Sequence, residues 1–254
     1  MTVRIKNFAV FILIVMLFSG FSCNKEKTEF SQEYLEIPQT NGNQIIQRAG
    51  YSLSYNEKHE QADWVAYVLT KEEAESDLAE RTDDFREDPD IITGSATPDD
   101  YKSSGFDRGH LAPAGDMTWS ELAMSESFYM SNMSPQNPSL NRGKWNSLES
   151  QVREWAIKYG ELFIVTGGVL KDGLPVIGQN QVSVPEFYYK VILDNTNKKA
   201  IGFLMENKSL DQDIFYYAVE IDRIEIETGI DFFYRLDDQT ENALESSFQI
   251  TDWN

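Results

Sequence analysis

Asp107-Arg108-Gly109-His110, followed by Asn132-Met133-Ser134-Pro135-Gln136 and then by Asn141-Arg142-Gly143, Trp145 and Glu149, is the stretch from which the whole chain can be read. It gathers a histidine, whose ordinary pKa of about 6.5 suits a general base near neutral pH. It adds an amide oxygen of the kind hard cations accept, a carboxylate, and arginines whose forked guanidinium groups match phosphate oxygens. Those are the parts needed to cut a phosphodiester. Each tetrapeptide alone is a weak signal, and the ordered pair is a strong one.

Taken one at a time, most of these residues have a bland reading beside the chemical one. A lone histidine is more often structural than catalytic, but the company of Arg108, the downstream amide and the carboxylate reverses that preference for His110. His59, the other histidine, has no such company and reads as structural. Asn141 is the candidate metal ligand, and equally a helix cap. Glu149 lies eight residues after Asn141. On one helix that is about 80° of rotation and two turns of rise, which suits hydrogen bonding to water around an ion. Arg108 and Arg81 are candidates for phosphate contact and for offsetting transition-state charge. Arg153, one turn past Glu149, either supports the site or pairs with Glu149 along the helix. Arg142 either lines the groove or is simply solvated. Asp107 reads as a residue that orients the turn, and Gly109 as one that permits close backbone approach.

Asp107-Arg108-Gly109-His110, with Asn141 following His110 by 31 residues and Glu149 eight further on, resembles the DNA/RNA non-specific endonuclease family. Its members are ββα-metal nucleases. Arg81 with Asp83-Asp84-Phe85-Arg86-Glu87-Asp88-Pro89 resembles the family's upstream arginine segment, and Trp64-Val65-Ala66-Tyr67 its early strand. Thr166-Gly167-Gly168 and the strand entered through Val184-Pro185 also fit, so the resemblance covers about residues 50–235. It implies an α+β fold with a central, mostly antiparallel sheet flanked by helices. It implies catalysis by His110, Arg108, Arg81 and Glu149, substrate contacts by Arg153 and Arg142, and Mg²⁺ on Asn141, with Mn²⁺ as a possible substitute. Cleavage of DNA and RNA, single- or double-stranded, to 5′-phosphate products is implied as well.

The N-terminus reads as a separate device. Arg4 and Lys6 precede an apolar run from Phe8 to Phe18, too short for the roughly 20 residues a bilayer span needs and of signal-peptide length. Cys23 is the only cysteine. Its place just after that run points to a lipoprotein, with residues 1–22 removed and Cys23 lipidated. An ordinary signal peptide with an incidental cysteine is the other reading, and Gly20 stands where lipoboxes usually carry leucine. Residues 23–45 read as a polar tether, and 46–254 as one domain with a sizeable core. The expected location is therefore exported and membrane-anchored. The sequence specifies neither an inhibitor protein nor an oligomeric state.

The chain carries 22 basic and 42 acidic residues, a formal charge of −20. Such a balance opposes tight non-specific binding to a polyanion. With a screening length of about 8 Å at physiological salt, a local cationic site still operates. Two other functions fit the composition. One is a non-catalytic surface lipoprotein binding nucleic acid or protein, and the other is a hydrolase of a small phosphodiester.

Periodicity predicts strands at 51–55, 64–69, 128–130 and 162–166, and a hairpin of 187–193 with 200–205. It predicts helices at 120–127, 143–159, 221–228 and 243–248, a short helix or turn at 71–79, and loop from 81 to 104.

Overall fold

The computed structural model describes residues 34–39 and 44–254. The expected signal segment, Cys23 and part of the tether lie outside the described residues. The chain first forms β1 (Ile45–Gln47), β2 (Ser52–Asn56) and β3 (Gln61–Thr70), then the short helices α1 (Lys71–Ala74) and α2 (Pro98–Tyr101). Next come β4 (Asp107–His110), α3 (Glu121–Glu126), β5 (Met133–Gln136) and the long helix α4 (Asn146–Tyr159). The remainder is β6 (Glu161–Gly168), β7 (Val176–Ile177), β8 (Val182–Ser183), β9 (Phe187–Asp194), β10 (Lys199–Glu206), β11 (Ala218–Val219), α5 (Ile221–Thr228) and α6 (Asp238–Glu245).

Seven of these strands make one sheet in the order β1-β2-β3-β6-β9-β10-β11, and every pairing in it is antiparallel. The fold is α+β, as the sequence indicates. Successive side chains of a strand point to opposite faces, and here both faces are covered. On β3, Val65, Tyr67 and Leu69 enter one core while Trp64 and Ala66 enter the other. On β6, Leu162 and Ile164 oppose Phe163 and Val165 in the same way. The first core is closed by α4, through Leu148, Val152, Trp155 and Ala156. Burying each of its larger apolar side chains is worth about 1.5–3 kcal/mol. The second core is closed by α5 and α6, through Ile221, Ile224 and Leu244. Leu35 and Ile37 are buried in that second core too, and Gln39 N–H donates to the Asp231 carbonyl at 3.0 Å. This part of the expected tether thus packs on the domain.

The functional tetrapeptide is a strand. β4 pairs antiparallel with β5, placing Asp107 opposite Gln136, Gly109 opposite Ser134 and His110 opposite Met133. α4 is preceded by a helical segment, Leu140–Trp145, kinked at Gly143 (φ −111°, ψ −108°). The expected helix 143–159 therefore begins at Asn146, with the kinked turn ahead of it.

Other boundaries move for local reasons. The short helix or turn expected over 71–79 is helical as far as Ala74, and beyond it the Ala79 N–H is drawn to the Thr118 carbonyl at 2.8 Å. The strand expected at 128–130 is a bridge to Arg86 followed by a 3₁₀ turn, Met130–Asn132, and pairing begins only at Met133. The last helix runs Asp238–Glu245, not 243–248, because the Asp237 carboxylate caps it by accepting from the Thr240 N–H at 3.1 Å.

Gly109 has a steric reason to be glycine. A Cβ there would sit 2.3 Å from Gln136 Oε1, and Gln136 is fully buried. Gly109→Ala is expected to cost about 1–3 kcal/mol by overpacking, read as a lowered midpoint in urea. Adding Gln136→Ala should recover part of that loss, and strict additivity of the two changes would show the clash to be absent.

Candidate active site

Arg81, Arg108, His110, Asn141, Arg142, Glu149 and Arg153, the polar residues singled out from the sequence, all line one cleft of about 460 Å³. They reach it from the loop before β4, from β4 itself, from the kinked turn before α4 and from α4.

His110 closes β4 and sits among aromatics. Its ring lies edge-on to Phe128 at 4.9 Å between centroids and 5.8 Å from Phe85. The Arg81 guanidinium stands 4.9 Å over Phe128, and that of Arg108 3.9 Å over Phe85. Each ring face thus holds one cation, and the two cations flank the imidazole. The residue is partly exposed, yet its Nε2 has neither solvent contact nor a hydrogen-bond partner. That leaves Nδ1 as the nitrogen open to the cleft. Burial first, then Arg81 and Arg108, push the imidazole pKa down to about 3. The ring is neutral at neutral pH, as a base must be.

Asn141 is not a helix cap. Its Nδ2 donates to Asp107 Oδ2 at 2.9 Å, which leaves Oδ1 free to accept or to ligate. Asp107 also takes both donors of a fork from Arg142, at 2.8 and 2.6 Å. These bonds hold its carboxyl below the usual carboxylate range against burial, which acts the other way. So Asp107 orients the turn, and Arg142, 72% exposed at its side chain, stands paired at the rim. Arg81 Nε donates to Asp83 at 2.7 Å. Arg108 has no carboxylate partner among the described residues, so its charge is available to a ligand.

Arg153 does not pair with Glu149 along the helix. Its Nη1 donates to Asp116 Oδ1 at 2.7 Å, and Asp116 is fully buried. The other oxygen, Oδ2, accepts from the Tyr67 hydroxyl at 2.8 Å. Glu149 is pushed up from the usual carboxylate range by burial and by Asp116, with Lys190 pulling it back. Lys190 lies fully buried on β9, its Nζ without a hydrogen-bond partner and 5.1 Å from the Trp145 ring. Burial lowers its pKa, while the carboxylates of Glu149 and Asp116 favour the charged form. The Asn141 amide oxygen and the Glu149 carboxylate are hard oxygen donors on one cleft, and with water they suit a small divalent cation.

Sequence reasoning missed Asp116, Lys190, Phe85 and Phe128 as parts of the site. Lys190 had a signal, as the one charge inside the apolar run Phe187–Leu193. The others had none, because their contacts join distant segments. His59 is structural, with its Nδ1 2.8 Å from the Ser183 hydroxyl.

The depressed pKa of His110 has a direct readout. Because the shift is downward, the imidazole stays neutral above its folded pKa and charges only in strong acid. In a histidine NMR titration of the ligand-free protein, the resonance lost in His110→Ala should still report the neutral ring at pH 5. A midpoint near the unperturbed value of about 6.5 would show that burial and the two arginines do not act as described.

The match to known proteins covers most of the chain. The family model for DNA/RNA non-specific endonuclease matches residues 32–239. Nuclease C1 of Cunninghamella echinulata var. echinulata is 36% identical over 214 residues, 77% of this chain and 85% of that protein. Human mitochondrial endonuclease G is 36% identical over 205 residues, 74% and 69% of the two chains. A nuclease of Nostoc sp. is 35% identical over 221 residues, 82% and 79%. Among solved structures, the endonuclease G of a complex with its inhibitor EndoGI superposes with a TM-score of 0.74 at 31% identity, covering 80% of this chain and 90% of that one. The chain therefore belongs to the DNA/RNA non-specific endonuclease family and is a phosphodiester-hydrolysing endonuclease.

Proposed function

We propose that this protein cleaves DNA and RNA without sequence specificity, with His110 as general base and a divalent cation, Mg²⁺ or Mn²⁺, held by Asn141. The observation that carries the reading is the convergence of His110, Asn141, Glu149 and the arginines on one cleft. A cation there would supply positive charge to the scissile phosphate and to the departing oxygen.

The chain's own groups do the rest. Arg108 and Arg81 bind the non-bridging phosphate oxygens and offset the charge that builds on them. His110 takes a proton at Nδ1 from the attacking water, with the resident ring proton on Nε2. The water oxygen bonds to phosphorus and the bond from phosphorus to the 3′ oxygen breaks; the departing oxygen takes a proton from water in the cleft, leaving a 3′-hydroxyl and a 5′-phosphate. Phosphate entering between Arg81 and Arg108 offsets the two charges that depress the His110 pKa, so binding strengthens the base. Glu149 orders water in the cleft by accepting its hydrogen bonds, and Arg153, held by Asp116, adds charge at the substrate's edge. Arg142 serves substrate contact from the rim, to the extent that it releases Asp107.

Export and lipidation of Cys23 are part of the same proposal. They rest on the apolar run and the sole cysteine, and no helix among the described residues is long and apolar enough to cross a membrane. Palmitate labelling of the full chain expressed in a bacterial host should be lost in Cys23→Ser, and an unlabelled wild-type chain would refute the anchor.

The decisive assay incubates the purified protein with plasmid DNA and with RNA in Mg²⁺. EDTA is expected to abolish cleavage of both polymers, and His110→Ala to slow it by about 10²–10⁴-fold. Cleavage undiminished by either treatment would overturn the mechanism. A subtler test concerns Lys190, which lowers the Glu149 pKa. Lys190→Met should let that pKa rise, move the acid limb of kcat/KM to higher pH, and cost about 10–100-fold at neutral pH. Unchanged activity and profile would show that Lys190 only fills space.

A further inference from the structure

A second group of carboxylates lies on the far side of the sheet from the cleft, where α5 and α6 pack over the second core. Asp222 and Glu225 stand three residues apart on α5 and so share a face. Glu245 ends α6. One carboxylate oxygen from each of the three lies within 4.8 Å of the other two. Glu245 is only 5% exposed, and its Oε1 has neither solvent contact nor a hydrogen-bond partner. A buried carboxylate facing two others with nothing to accept from is costly.

The surroundings deepen the deficit. Burial, then Glu225, Glu241, Asp222 and Asp231 together push the Glu245 carboxyl up to about 9, and Glu241 is pushed up to about 7. Among the described residues, no lysine or arginine forms an ion pair with any of these five acids. Lys171 and Arg223, which flank the region in sequence or space, are both engaged by Glu227. One fixed point exists: Glu225 Oε1 accepts from the Phe232 N–H at 2.8 Å, which leaves its second oxygen for a ligand.

We propose that Asp222, Glu225 and Glu245 form a calcium site that clamps α5 to α6, structural in role and separate from the catalytic cleft. Calcium holds oxygens at 2.3–2.6 Å, so two ligands of one ion stand up to about 5.2 Å apart, and the three oxygens, all within 4.8 Å of one another, fit that limit. Mg²⁺ is usually held by one or two carboxylates and several waters, so a cage of three protein carboxylates suits calcium better. All three donors are carboxylates, the hard ligands calcium takes, and no histidine or cysteine stands among them to favour zinc.

The test is calcium titration of the full chain, followed by calorimetry and by thermal unfolding against an EDTA baseline. Wild type and Asn141→Ala should both bind and both gain several degrees in Tm at about 1 mM Ca²⁺, since an ion that binds only the folded state stabilises it. Glu245→Gln should weaken binding at least tenfold, lose the calcium-dependent rise, and melt no lower than wild type in EDTA. Should Glu245→Gln fail to fold, Asp222→Asn, at a more exposed position, is expected to lose the same rise. The proposal is overturned if no calcium binds, or if binding is lost in Asn141→Ala and kept in the Glu245 or Asp222 variant, which would place the ion in the catalytic cleft alone.

Discussion

One carboxylate ties the elements of the cleft together. Asp116, fully buried in the turn after β4, accepts from Arg153 of α4 with one oxygen and from Tyr67 of β3 with the other. Helix, turn and sheet therefore meet at a single charged point beneath the cleft. Removing one partner from a buried pair of this kind costs about 3–5 kcal/mol, because the remaining charge is left unpaired. The arrangement is best understood as a positional constraint. It fixes where α4 lies relative to the end of β4, and so where Glu149 stands relative to His110. Gly115 shows how close the fit is, since a Cβ there would come within 3.1 Å of Arg153 Nη1.

The same point explains how an acidic chain handles a polyanion. The formal charge is −20, yet Arg81, Arg108, Arg142 and Arg153 line one cleft. Three of them are held by acids that leave part of the guanidinium fork unused, and Arg108 by an aromatic face alone. At ionic strengths where fields fade within about 8 Å, the cleft is what a phosphate meets at contact, and the acidic surface acts mainly at longer range. On the proposed reading, the surface disfavours lingering on nucleic acid while the cleft favours reaction.

The sheet separates two electrostatic problems. On the α4 face, Lys190 and Arg153 answer the carboxylates of Glu149 and Asp116. On the α5–α6 face, no lysine or arginine among the described residues forms an ion pair with Asp222, Glu225 or Glu245. The fold solves the first with its own residues, and the proposed calcium ion would solve the second.

The fold class and the places of most strands were legible in the sequence through short-range signals: the alternation in the strands from β3 to β10 and the helical spacing of Leu148, Val152 and Trp155. Seven polar residues that line the cleft were legible through a family resemblance, carried by the fixed order of Asp107–His110, Asn141 and Glu149 and by the arginine segment at Arg81. What each residue touches was settled by the packing of the elements. Asn141 proved to be held by Asp107 and not to cap a helix, Arg153 to face Asp116 and not Glu149, and Leu35 and Ile37 to belong to the core and not to a tether. Phe85, Phe128, Asp116 and Lys190 entered the site without being sought. The physical reason is the same for all. Local periodicity reports which face of an element is buried, but a hydrogen bond or ring contact between segments far apart in sequence depends on how those elements are laid against one another, and no local pattern encodes that.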